Sequence, residues 1–136
     1  MNEKRRNSEE TADARPVSAS RVLMTELVIT EDTNSQGNIF GGRVMSLIDK
    51  AVAVAALRHC HSQVATASVD SLTFHSSIRL GSIMVIEAKL NAVFNSSMEV
   101  GVRVESENVL TGERRHTTTA YVTMVSLDDF GRPRRA

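Results

Sequence analysis

The stretch that most limits what this chain can fold into runs from Asn34 to Cys60, NSQGNIFGG followed by RVMSLIDKAVAVAALRHC. Its opening residues are loop formers. Asn34, Ser35, Gly37 and Asn38 bring turn-prone side chains, and Gly41 and Gly42 leave bare backbone directly ahead of an apolar run. That order reads as a loop opening into a helix that starts near Gly42. Between Arg43 and Leu57 only Arg43, Ser46, Asp49 and Lys50 are polar, and the second half of the segment is apolar on every face. A helix apolar all round is a buried helix, so the rest of the chain has to cover it. Asp49 is out of place there. Its neighbours at i−4 and i+3 are Met45 and Val52, so the expected surround is apolar, and a carboxylate in it calls for a partner or a chemical task.

The remaining segments supply strands. Arg21 to Glu31 is a short β-leaning run with Val22, Leu23, Met24, Leu27, Val28 and Ile29, and reads as a first strand. Past the helix, which closes on Arg58, His59, Cys60 and His61, the segment Ala65 to His75 reads as a second. From Ile83 the pattern sharpens: Met84, Ile86, Ala88, Leu90, Ala92 and Phe94 are apolar at period two, and Met98, Val100, Val102 and Val104 resume the alternation after the turn Asn95-Ser96-Ser97. These two form a hairpin with one buried face. Arg114 to Leu127 is a last long strand, after which Asp128-Asp129-Phe130-Gly131 releases a basic end. The expected fold class is α+β, an antiparallel sheet of about five strands around one long helix.

Length and charge narrow the function classes. A chain of 136 residues is one ordinary domain, expected over residues 21–136, behind a mixed-charge tail, residues 1–20, that is expected to be disordered. Lys plus Arg and Asp plus Glu are both 16, so no whole-chain field points to nucleic acid or to a membrane surface. The tail lacks the apolar core of a secretory signal, and a single cysteine fits a reducing compartment, so a cytoplasmic location is the expectation. His59-Cys60-His61 does not make a metal set, since three adjacent residues at a helix end cannot all face one ion; no metal and no cofactor are expected.

In this order, loop, helix and strand signatures resemble the hotdog superfamily, and within it the acyl-CoA thioesterases of the YciA-like and cytosolic acyl-CoA hydrolase type. The resemblance rests on Asn34, Gly37, Gly41, Gly42, Met45 and Asp49 at their spacing, supported by Val69-Asp70, by Ser97-Met98-Glu99-Val100 and by the end Asp129-x-Gly131-Arg132-Pro133-Arg134. It implies a sheet curled round the central helix, homodimers with active sites at the subunit interface, and assembly into a homohexamer.

The implied reaction is hydrolysis of a fatty acyl-CoA to free acid and coenzyme A. Thioester hydrolysis needs a polarised carbonyl, an activated water or nucleophile, and a grip on coenzyme A. Backbone N–H groups at the helix start, at Gly41 and Gly42, are suited to a developing oxyanion. Asp49 is the candidate base or nucleophile, and Asn34, on the family's functional asparagine, would position water or substrate. For the nucleotide, the resemblance points to Ser96 and Ser97 and to Arg132 and Arg134, arginine forks being suited to phosphate. The chain departs from the family here, with Phe94-Asn95 where relatives usually have Gly-Arg. Two other readings stay open: a hotdog module that binds acyl-CoA without turnover, as a sensor or regulator, and a hydratase, which is expected to show an Asp/His pair in one short loop. The region from Asn34 to Asp49 contains no histidine. A DNA-binding regulator would need a helix-turn-helix, and the first 20 residues carry no apolar period for one.

Overall fold

Period-two alternation produces five antiparallel strands joined in a single sheet. The computed structural model describes residues 20–136, so the expected tail, apart from Ser20, lies outside the described residues. The strands are β1 (Val22–Leu27), β2 (Gln63–Phe74), β3 (Ile83–Val93), β4 (Ser97–Glu107) and β5 (Arg114–Leu127). Their spatial order is β1-β3-β4-β5-β2. The helix α1 (Gly41–Cys60) lies against one face and touches all five strands. Met84, Ile86, Ala88 and Leu90 of β3 point to it, as do Met98, Val100, Val102 and Val104 of β4 and Ala120, Val122 and Met124 of β5. They close on Val44, Leu47, Ile48, Ala51, Val52 and Ala55 of the helix. Each large side chain removed from water in this way contributes about 1.5 to 3 kcal/mol.

The boundaries of α1 have local causes. Phe40 is extended, with ψ 138°, and its carbonyl accepts the N–H groups of Arg43 and Val44. At the other end His61 turns left-handed at φ 51° and donates its N–H to the Leu57 carbonyl, a one-residue stop.

Several expectations need correction. Strand β1 ends at Leu27, because Thr30–Asp32 tightens into a 3-10 turn whose Asp32 carboxylate accepts the Ile29 N–H. The helix is buried on one face only: Ala53 and Val54 are half-buried and Leu57 is 43 % exposed. Alternation in β3 fails after Leu90, where the register against β4 shifts; Phe94 therefore falls beyond the strand and stands 61 % exposed instead of joining the core. The basic end is not released. Pro133 bridges to Leu127, Arg134 N–H bonds the Ser126 carbonyl, and Ala136 N–H bonds the Asn95 carbonyl, so the chain folds back along the end of β5.

Candidate active site

The loop before the helix is built by its own side chains. Asn34 accepts N–H groups from Gln36 (2.9 Å) and Asn38 (3.2 Å) on its Oδ1, and its backbone N–H bonds the Asn38 carbonyl. Gly37, at φ 76°, supplies the left-handed residue this turn requires. Arg43 then fastens loop, strand and helix together, with Nη2 3.2 Å from Glu26 and Nε 3.0 Å from Asp32. The Asn34 side-chain NH2 has no partner among the described residues.

This clamp leaves the helix start open. The N–H groups of Gly41 and Gly42 have no acceptor among the described residues, as expected of a first turn. Neither glycine is required by packing. Neither has a positive φ; a Cβ at Gly42 would meet nothing within 4 Å, and one at Gly41 would make ordinary contact with Phe74 at 3.7 Å. Bare backbone at a helix N-terminus with no folding reason to be bare suits the close approach of an acceptor oxygen. Asn34 and Gly41 line one cavity of about 360 Å³ together with Phe74, His75 and Thr118.

Asp49 lies elsewhere. Two turns along the helix, about 10 Å from Gly42, it is exposed, against the expectation of an apolar surround. The residue missed in the sequence is Thr66 of β2, whose hydroxyl donates to Asp49 Oδ1 at 2.8 Å. That bond orients the carboxylate and leaves Oδ2 without a partner among the described residues. In a run rich in Thr, Ser and Val, Thr66 looks like any strand former; its position opposite Asp49 depends on how the helix packs against β2, which periodicity does not reveal.

A further carboxylate, Asp70, sits where β2 departs from regular register with β5, accepting the hydroxyls of Ser68 (2.6 Å) and Thr123 (2.5 Å). These two donors hold its carboxyl below the usual carboxylate range.

The coenzyme A candidates gather at one end of the sheet. Ser96 occupies the β3–β4 turn, its carbonyl accepting the Ser126 N–H; Ser97 opens β4; and the returning C-terminal segment carries Arg132 and Arg134 past the same turn. Both arginines are exposed and form no ion pair among the described residues. His59 is buried, Cys60 meets Ser62, and His61 is exposed, so the three side chains diverge. No group of three or more His, Cys, Asp or Glu suited to a metal ion occurs among the described residues. No helix of the described residues is long and apolar enough to cross a membrane.

A long helix cradled by one antiparallel sheet, with a glycine pair at its start, defines the hotdog class. The sequence matches the family model described as the Thioesterase superfamily over residues 36–113. It is 40 % identical over 124 residues to the uncharacterized acyl-CoA thioester hydrolase YkhA of Bacillus subtilis, covering 91 % of this chain and 72 % of that protein. An apo-hexameric acyl-CoA thioesterase superposes with TM-score 0.86 at 46 % identity, covering 88 % of this chain and 77 % of the other. The acyl-CoA hydrolase of Staphylococcus aureus, solved with butyryl coenzyme A, coenzyme A and coenzyme A disulfide, superposes with TM-score 0.84 at 35 % identity, covering 88 % and 73 %. This protein belongs to the thioesterase superfamily. Alanine variants of the Staphylococcus enzyme replace an asparagine, an aspartate 15 residues on and a threonine a further 17 on, the same intervals that separate Asn34, Asp49 and Thr66.

Proposed function

We propose that this protein is an acyl-CoA hydrolase whose active site is shared between two copies of the chain. The observation that carries the reading is the division of the site within one chain. Asn34 and Gly41 line one cavity, while Asp49, held by Thr66, lies outside it at the exposed edge of the sheet. Strand β2 is that edge, 12 residues long and exposed along most of its length. An unpaired edge of this length is a template for another strand. Antiparallel pairing of β2 with its own copy about a two-fold axis would bring the Thr66 end of one chain beside the Phe74 end of the other. Asp49 then faces the partner's helix start, and the half-exposed helix face with Leu57 gains cover. Such a dimer, and three of them in a homohexamer, would agree with the hexameric state of two related thioesterases.

The chemistry is derived from these parts. The thioester carbonyl oxygen takes the N–H groups of Gly41 and Gly42, and the helix dipole supports the charge that develops on it. Asp49 either removes a proton from water attacking the carbonyl carbon or attacks that carbon itself; both need the charge on its free oxygen. The C–S bond breaks and the electron pair leaves on the coenzyme A sulfur; water adds to the thioester directly in the first case and hydrolyses the Asp49–acyl anhydride in the second, freeing the carboxylate, and in both the proton taken from water ends on the thiolate. Asn34 and Thr66 are positioning residues for substrate and carboxylate. Ser96, Ser97, Arg132 and Arg134 receive the nucleotide, and one domain over residues 21–136 carries the whole arrangement. Function in the cytoplasm fits a chain with one cysteine.

Thiol release measured over acyl-CoAs of graded length, with light scattering on the same sample, tests the proposal. Turnover by a dimer or a multiple of it is expected. Binding without turnover would favour the non-catalytic module, and an active monomer would remove the shared site.

A further inference from the structure

The cavity beside Gly41 has a chemical character that hydrolysis does not require. Among the described residues, three of the buried side-chain polar atoms that lack a hydrogen-bond partner, Asn38 Oδ1, Ser76 Oγ and Thr118 Oγ1, belong to residues that line this one cavity. Thr118 is 0 % exposed and lies on the inward face of β5, two residues before the core position Ala120. A buried hydroxyl or amide oxygen left unpaired costs about 1 to 3 kcal/mol, and one such atom in a chain is ordinary. Three converging on one cavity describe a polar site. The rest of its lining is mixed, with Ile39, Val44 and Ile78 supplying apolar surface beside polar Asn34, Gln36 and His75.

Resting on the hydrolase reading above, we infer that this cavity selects the acyl group, and that it takes short acyl chains bearing a hydroxyl or oxo group in preference to plain alkyl chains. With the nucleotide at the Ser96–Arg134 end and the carbonyl on Gly41 and Gly42, the part of the substrate beyond the carbonyl is the acyl chain, and the cavity lined by Gly41 receives it. Apolar walls hold the methylenes. A substituent oxygen reaches Asn38, Ser76 and Thr118, which between them offer hydroxyl donors and acceptor oxygens, and a hydroxyl can both give and accept there. An unsubstituted chain leaves these atoms desolvated and unpaired. Sites built to pair a substrate hydroxyl reject the analogue lacking it far more strongly than apolar pockets reject one with an added group. Thr118 and Ser76 are therefore specificity-determining residues.

The test compares acyl-CoAs of four to six carbons with their counterparts hydroxylated at C3 or at the terminal carbon. Alongside kcat/KM, dissociation constants are measured with analogues in which a methylene replaces the thioester sulfur, so preference is read without turnover. At least one hydroxylated member should be favoured by about tenfold or more. In Thr118→Val, and independently in Ser76→Ala, that ratio should fall toward one, with plain acyl-CoAs still bound and hydrolysed and thermal stability held or raised. Preference in the analogues, with the true acyl-CoA thioesters bound but not turned over, would support the cavity's role and sink the hydrolase reading alone. Two results overturn the inference: plain chains favoured at every substitution, or both variants weakening all acyl-CoAs in equal proportion, which assigns the cavity to the pantetheine arm common to all of them.

Discussion

At the residue scale, a carboxylate fixed through one oxygen and free at the other separates structure from chemistry in a single substitution. Asp49→Asn keeps the side-chain shape and can keep the bond from Thr66, but loses the charge on the free oxygen. Circular dichroism should show the fold retained while kcat falls by about 10² to 10⁴; a folded variant turning over at the parental rate would remove Asp49 from the mechanism. Gly42→Ala makes a complementary case. Its methyl meets nothing in the chain, and alanine in a helix is favoured over glycine by up to about 1 kcal/mol, so the melting temperature should hold or rise while activity drops. Asp70 tests a structural carboxylate. Its folded pKa is depressed, so its contribution to stability is present above the unfolded value of 3.8 and is lost as pH falls through the lower folded value. Thr123→Val removes one donor and should start acid unfolding at a higher pH, read from melting temperature against pH; an unmoved acid limb would deny Asp70 that role. Asp49 was legible in the sequence as an anomaly, though for the wrong environment. Its neighbours at i−4 and i+3 are apolar, but the side chain leaves the helix toward β2, and sequence spacing does not say which face of a helix its sheet covers.

At the element scale, the strands with one covered face could be read from the sequence, and the edges could not. Residues Met84 to Leu90 and Met98 to Val104 alternate because the helix covers one side of them. The alternation stops being informative at Leu90, where a register shift sends Phe94 outward. Strand β2 carries almost no burial pattern, since it lies at the edge and is exposed along most of its length, and only its β-branched composition marked it. The C-terminal residues looked like an exposed basic tail because what fastens them is backbone hydrogen bonding to Ser126 and Asn95, which leaves no trace in side-chain type. That return gives the arginines a fixed place beside Ser96 and Ser97. Replacing Arg132 and Arg134 together by alanine should raise KM for acyl-CoA more than it lowers kcat, and should reduce the weakening of binding by salt, because nucleotide contacts are held equally in ground and transition states. An unchanged KM with unchanged salt dependence would move the nucleotide elsewhere.

At the scale of the whole molecule, the two halves of the chemistry lie in different places on one chain, and a two-fold pairing of β2 would reunite them. The sequence alone carried this only through resemblance, because no periodicity records which edge of a sheet meets another copy. Subunit mixing reads it out. Asp49→Asn chains keep an intact helix start, and Gly42→Val chains keep an intact carboxylate, while each alone should be nearly inactive. After the two are unfolded together and refolded in equal amounts, half of the dimers are mixed. Each mixed dimer regains one site with both parts intact, so thiol release should return to about a quarter of the unsubstituted protein's rate under two-fold symmetry. Mixtures no more active than either variant alone would contradict a shared site, and would require Asp49 and Gly42 to act within one chain.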